Sequence, residues 1–132
     1  MSISVLICDD APAVRTMMHR LLEREGLQIA GVASNAEEVL TLYETNTPDV
    51  VLLDLKVPGS NGLGLLRSLR ILDPHACVVI CSGAGDPDMR EEAQSLGVAE
   101  WVLKPVYTSS LVELLAEVVG AKRARNAAHA EG

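Results

Sequence analysis

The chain has 132 residues, 48% of them hydrophobic and 22% charged, which is too apolar for a disordered polypeptide and long enough for one domain with a sizeable core. A net charge of -7 argues against direct nucleic-acid binding, which depends on clustered Lys and Arg. The opening apolar run is short and ends in two acids, and no stretch approaches a membrane span, so the expected location is the cytoplasm, with no membrane partner.

In chain order, the first aliphatic run covers residues 3 to 8 and reads as a strand ending at Asp9-Asp10. Val14, Met17, Met18, Leu21 and Leu22 then repeat at three-and-four spacing, the pattern of one buried helical face, and Gly26 stops that helix. A second strand is predicted over 28 to 33. The helix after it covers 35 to 46, with Val39, Leu42 and Tyr43 inward, and Ser34 with Glu37 has capping-box spacing at its start. The third strand, 50 to 55, contains Asp54, and a helix with Leu65, Leu66, Leu69 and Leu72 inward follows it. A fourth strand over 77 to 82 leads to Asp86-Pro87, an N-cap with proline at the first helical position, and to a helix over 87 to 96 with Met89, Ala93 and Leu96 inward. Gly97 stops it. The fifth strand spans 99 to 103, and Ser110 with Glu113 marks the start of a last helix carrying Leu111, Leu114, Leu115 and Val118. Gly120 is expected to end that helix, leaving 1 to 120 as the domain and 121 to 132 as a short polar, basic tail or the start of a linker.

Five alternating strand-helix units imply an α/β protein, a doubly wound parallel sheet with helices on both faces and right-handed crossovers. In an open five-stranded sheet of order 2-1-3-4-5, ligands bind beyond the carboxyl ends of the strands, at the switch point between strands 1 and 3. Those are the strands that end in Asp9-Asp10 and Asp54. Carboxylates gathered there repel by about 4 kcal/mol per pair at ~4 Å and an effective dielectric near 20, so a hard divalent cation such as Mg²⁺ is the natural partner. Strand 4 adds the hydroxyl of Ser82 at the rim, and strand 5 adds Lys104, followed by Pro105. Acids, metal, hydroxyl and ammonium together describe a phosphoryl site, with Asp54 on the central strand as the expected nucleophile.

Asp9-Asp10, then Asp54-Leu55-Lys56-Val57-Pro58 with Gly62 beyond, then Ser82-Gly83, then Lys104-Pro105, in this order and spacing, resemble the receiver domain of two-component response regulators of the chemotaxis type over residues 3 to 120. The resemblance implies a flavodoxin-like receiver fold and an Asp54 that accepts a phosphoryl group from a sensor histidine kinase or a histidine phosphotransfer protein. It also implies that Asp9, Asp10, Asp54 and the Lys56 backbone carbonyl hold Mg²⁺, that Ser82 and Lys104 meet the phosphoryl oxygens, and that Lys104-Pro105 is a cis bond. Trp101 falls at the family's switch position, where Tyr or Phe is commoner. Phosphorylation is expected to draw Ser82 inward, let Trp101 follow, and reshape the face of helix 4, strand 5 and helix 5 for an output partner the sequence does not name. A homodimer through helices 4 and 5 is possible, and the sequence does not decide it. The resemblance implies a phosphorylation-switched module that assists only its own phosphoryl gain and loss.

Simpler readings stand beside these. Asp9-Asp10 could cap a helix ahead of Pro12, Asp54 could open a turn with Lys56, Pro58 and Gly59, Ser82 could bond local backbone, and Trp101 could be a half-buried core ring. His19, His75 and His129 follow no ligand spacing and read as surface residues, and Lys122-Arg123-Ala124-Arg125 as cations suited to a helix end. Cys8, Cys77 and Cys81 read as reduced core thiols. Competing functions are a haloacid-dehalogenase-type Mg²⁺-dependent phosphatase, which wants Asp-x-Asp where this chain has adjacent acids, a flavin-binding domain, which wants a hydroxyl- and glycine-rich loop there, and a non-phosphorylated pseudo-receiver.

Overall fold

The computed structural model describes residues 2–59, 63–83, 87–104 and 109–131, with side chains left out for 109 and 129–131. Five strands and five helices alternate strictly: β1 Ser4–Cys8, α1 Pro12–Arg24, β2 Gln28–Ala33, α2 Ala36–Asn46, β3 Val50–Leu53, α3 Gly64–Leu72, β4 Val78–Ser82, α4 Pro87–Ser95, β5 Glu100–Leu103 and α5 Ser109–Glu131. The strands form one sheet in the order β2-β1-β3-β4-β5, and every pairing is parallel.

Period-2 alternation divides each strand between two cores. Leu6, Cys8, Val51, Leu53, Val78, Ile80 and Trp101 face one layer with Val39 and Tyr43 of α2, Leu65, Leu66 and Leu69 of α3, and Ala93 of α4. Val5, Ile7, Val50, Leu52, Val79 and Cys81 face the other, with Met18 and Leu22 of α1 and Leu111, Leu115 and Val119 of α5. A sheet covered on both faces needs the continuous aliphatic runs that mark its strands. All three cysteines are free and buried. Burial pushes Cys8 and Cys81 up to about 12, so neither is a thiolate at neutral pH.

Several expectations at helix ends and faces are corrected. The start of α2 is capped one residue later than the Ser34/Glu37 spacing suggests. Asn35 is the N-cap, its side chain accepting from the Glu38 N–H at 2.9 Å, while Glu38 Oε1 accepts from the Ser34 N–H and hydroxyl at 2.9 and 2.6 Å. Asn and Ser are comparable caps, and here Ser34 becomes the residue before the cap. Ser110 lies inside α5 rather than at its cap, and the Asp86 cap falls outside the described residues. Met17 and Leu72 are 48% and 40% exposed, because each lies at the edge of its apolar stripe.

Gly120 does not end α5, which continues to Glu131. A mid-helix glycine costs roughly 0.5–1 kcal/mol relative to alanine, and the buried Val119 on one side with an Ala/Lys/Arg-rich stretch on the other offsets it. Arg123 anchors the extension, donating to the Ser2 carbonyl and the Asp49 carboxylate, both at 3.1 Å.

Gly97 does stop α4, at φ +80°. A Cβ there would also sit 3.4 Å from Arg70 Nη2. Gly97→Ala is expected to cost about 1–2 kcal/mol, the usual penalty for a left-handed L-residue, read as a lower urea midpoint at unchanged m-value.

Candidate functional site

The parallel sheet brings the carboxyl ends of β1, β3, β4 and β5 to one edge. Asp9 and Asp54, each one residue past its strand, are 2% and 1% exposed. Two acids this deeply buried require compensation. Lys104 provides it. Its Nζ donates to Asp9 Oδ2 at 2.6 Å and to Asp54 Oδ2 at 2.9 Å, and its own N–H donates to the Ser82 carbonyl at 2.8 Å. Burial works against the Lys104 ammonium, but the two carboxylates outweigh it and raise its pKa above the ordinary lysine value.

The remaining carboxylate oxygens are positioned by main chain. Asp9 Oδ1 accepts from the Ala11 N–H at 2.9 Å, and Asp54 Oδ1 from the Lys56 N–H at 3.0 Å. The capping alternative for Asp9-Asp10 is thus answered: Ala11 is the N-cap of α1 and makes no side-chain cap bond. Asp10 is exposed, yet it offers an oxygen that lies, with those of Asp9 and Asp54, inside a group spanning no more than 4.8 Å. Desolvation, then the charges of Asp54 and Asp9, raise its pKa. This donor set fits a small hard dication: three carboxylates on two strand ends, one of them under electrostatic pressure from the others.

Ser82 ends β4, buried at 4% exposure, and Trp101 is buried at 9% among the α4-side core residues. The Arg90 guanidinium of α4 lies 5.8 Å from the indole centroid, while Trp101 Nε1 has no hydrogen-bond partner among the described residues. The ring is already inward in this structure, so the expected inward step of Trp101 would start from a buried position. Pro105, with the cis bond expected before it, and Gly62 fall outside the described residues.

Two neighbours of the site escape sequence reasoning. Arg15 Nη1 donates to the Asp9 carbonyl at 2.8 Å. A Cβ at Gly83 would lie 3.9 Å from Lys56 Nζ, which puts a second ammonium at the rim. The one signal for Arg15 is its position within a turn of the β1 end. Nothing local places the Lys56 ammonium beside Gly83, which follows the end of another strand.

Among described residues, no helix is long and apolar enough to cross a membrane. A doubly wound sheet with paired acids, a third acid and a lysine at its switch point defines a class of signalling domain, and residues 5–116 match the family model described as the response regulator receiver domain. The chain belongs to this family, that of two-component receiver domains. It is 34% identical over 114 residues to the chemotaxis protein CheY of Thermotoga maritima, covering 86% of this chain and 95% of that one. A receiver domain protein (CheY-like) from Methanospirillum hungatei JF-1 superposes with a TM-score of 0.88 at 25% identity, covering 95% and 99% of the two chains. The CheX-CheY-BeF3-Mg complex from Borrelia burgdorferi is also similar in fold, with a TM-score of 0.82 at 24% identity over 88% of each chain. Receiver domains are signalling modules and bind Mg²⁺ at an acidic pocket.

Proposed function

We propose that Asp54 is the phosphoacceptor of this receiver domain. An Asp54 carboxylate oxygen attacks the phosphorus of a phosphohistidine on a kinase or phosphotransfer protein. The new P–O bond replaces the P–N bond, and the departing imidazole nitrogen keeps the bonding pair and takes a proton. The observation that carries the reading is the single Lys104 ammonium shared at 2.6 and 2.9 Å between Asp9 and Asp54. A cation held there faces both the nucleophile and the charge that builds on the transferred group. Asp9, Asp10, Asp54 and the Lys56 carbonyl would hold Mg²⁺, which when bound neutralises charge on the phosphoryl oxygens. Ser82 donates to a phosphoryl oxygen from the end of β4.

Output runs through the α4-β5-α5 face. Moving a two-state domain from 1:99 to 99:1 needs about 5.5 kcal/mol of preference for the active state, within reach of several charge-assisted contacts. Trp101, under Arg90 and against Ala93, reports on that face. Its fluorescence is expected to change on adding a phosphoryl mimic with Mg²⁺, and an unchanged spectrum would remove Trp101 from the switch.

Intact mass after acetyl phosphate tests the central reading. One adduct of about 80 Da, a single phosphoryl group, is expected with Mg²⁺ and none with EDTA. No adduct in either condition would leave a docking domain that is not phosphorylated. Because the pKa of Asp10 is raised, Mg²⁺ must displace a proton from it as pH falls into the acid range, so calorimetric affinity should weaken there while the fold persists.

A further inference from the structure

The cations of Lys122-Arg123-Ala124-Arg125 are not at a helix end. α5 runs on to Glu131, beyond the single turn over which a helix dipole acts. Arg123 is occupied by Asp49 and the Ser2 carbonyl. Lys122 and Arg125, three apart and therefore neighbours on one helical face, form no ion pair among the described residues. They meet two adjoining recesses of about 340 and 300 Å³ at the end of the sheet opposite Asp54, both also lined by His75 and Gly97. The larger adds Arg70 and Asn126.

The opposite wall is rigid. Arg70 is tied to carbonyls of both flanking loops: Nε to Leu96 at 2.5 Å, Nη1 to Ala76 at 2.5 Å and Pro74 at 3.4 Å, and Nη2 to Gly97 at 2.6 Å. A guanidinium has five N–H donors, so one on Nη2 is left over. Of the nearby acids, Asp49 is paired with Arg123 and bonded by Ser4, while Asp73 accepts from the Tyr43 hydroxyl at 2.6 Å and the His75 N–H at 2.8 Å and offsets part of the Lys122 charge without forming an ion pair with it. A chain of net charge -7 with only 11 Lys and Arg thus concentrates three of them, with a histidine and an amide, around one concavity. Like charges held together repel, and an anion between them relieves the repulsion.

We propose that this cleft binds a small phosphate-bearing molecule of nucleotide size, with Lys122 and Arg125 on its phosphates. The recess volumes lie at the lower end of the range for small-molecule sites, about 300–1,000 Å³, which suits a mononucleotide. The Arg70 Nη2–H, the Asn126 amide and the His75 ring supply the orienting polar groups.

An amide NMR titration of the full chain with ADP in EDTA tests this, because chelation separates the cleft from the acidic end of the sheet. Saturable shifts are expected at His75, Gly97 and Lys122 through Asn126. The double variant Lys122→Gln/Arg125→Gln should weaken binding by about tenfold or more, the scale of two lost charge-assisted contacts. Arg20→Gln removes one charge from the exposed side of α1, away from the cleft lining, and should leave affinity unchanged. Shifts centred on Asp9 and Lys104, shifts that do not saturate, or equal weakening by Arg20→Gln would overturn the proposal.

Discussion

Asp54→Ala is expected to abolish phosphoryl incorporation from acetyl phosphate, with no adduct in the intact mass spectrum where the wild-type chain gains one. The loss should be complete rather than graded, because the substitution removes the atom that forms the bond. Asp10→Asn is the informative companion. Asp10 is exposed and not held by Lys104, so the variant should fold normally, bind Mg²⁺ more weakly and incorporate phosphate slowly. Peptide mapping decides whether any adduct in Asp54→Ala has moved to Asp9 or Asp10. An unchanged yield in the alanine variant would mean that the nucleophile is another residue.

Lys104→Met should destabilise the metal-free domain by about 3 kcal/mol, the lower part of the range for stranding a buried charge. The lower part applies because the lysine side chain is 18% exposed and water can reach the site, although both acids are at 2%. Mg²⁺ supplies replacement charge, so its addition should raise the urea midpoint of the variant more than that of the wild type. The pH dependence follows from the raised Lys104 pKa. The stability the pair contributes is fully present below the ordinary lysine value of 10.5 and is lost only as pH rises through the higher folded value. The wild-type and variant curves should therefore stay separated across neutral pH. They should converge above pH 10.5. A variant as stable as wild type in EDTA would show that the buried acids are neutral or otherwise compensated.

The legible parts of the fold were those governed by local periodicity. All five strands fall within two residues of the aliphatic runs, since a strand covered on both faces has no polar position to break the run. Inward faces of helices were read correctly at Met18, Leu22, Val39, Tyr43, Leu66, Leu69 and Ala93, and incorrectly at Met17 and Leu72, because spacing gives the direction of a stripe but not its width. Helix ends fared worse. Ser34 and Asn35 are both good caps with a glutamate three residues on, and only the path of the chain chooses between them. Gly120 carries a stop signal that a continuing helix overrides.

Asp9, Asp10, Asp54 and Lys104 were legible as a set because charged residues directly after apolar strands are rare without a partner, and parallel topology sends every such strand end to the same edge. Their order along the chain thus carried the family and the chemistry to expect of it. Three-dimensional packing settled what order could not. It made Lys104 the shared counter-ion of Asp9 and Asp54, brought Lys56 Nζ near Gly83, turned Trp101 inward beneath Arg90, and set Lys122 and Arg125 across from Arg70. Most of these pairs are tens of residues apart in the chain, and their proximity depends on how helices seat against a twisted sheet, a property of the whole core rather than of any local run of residues.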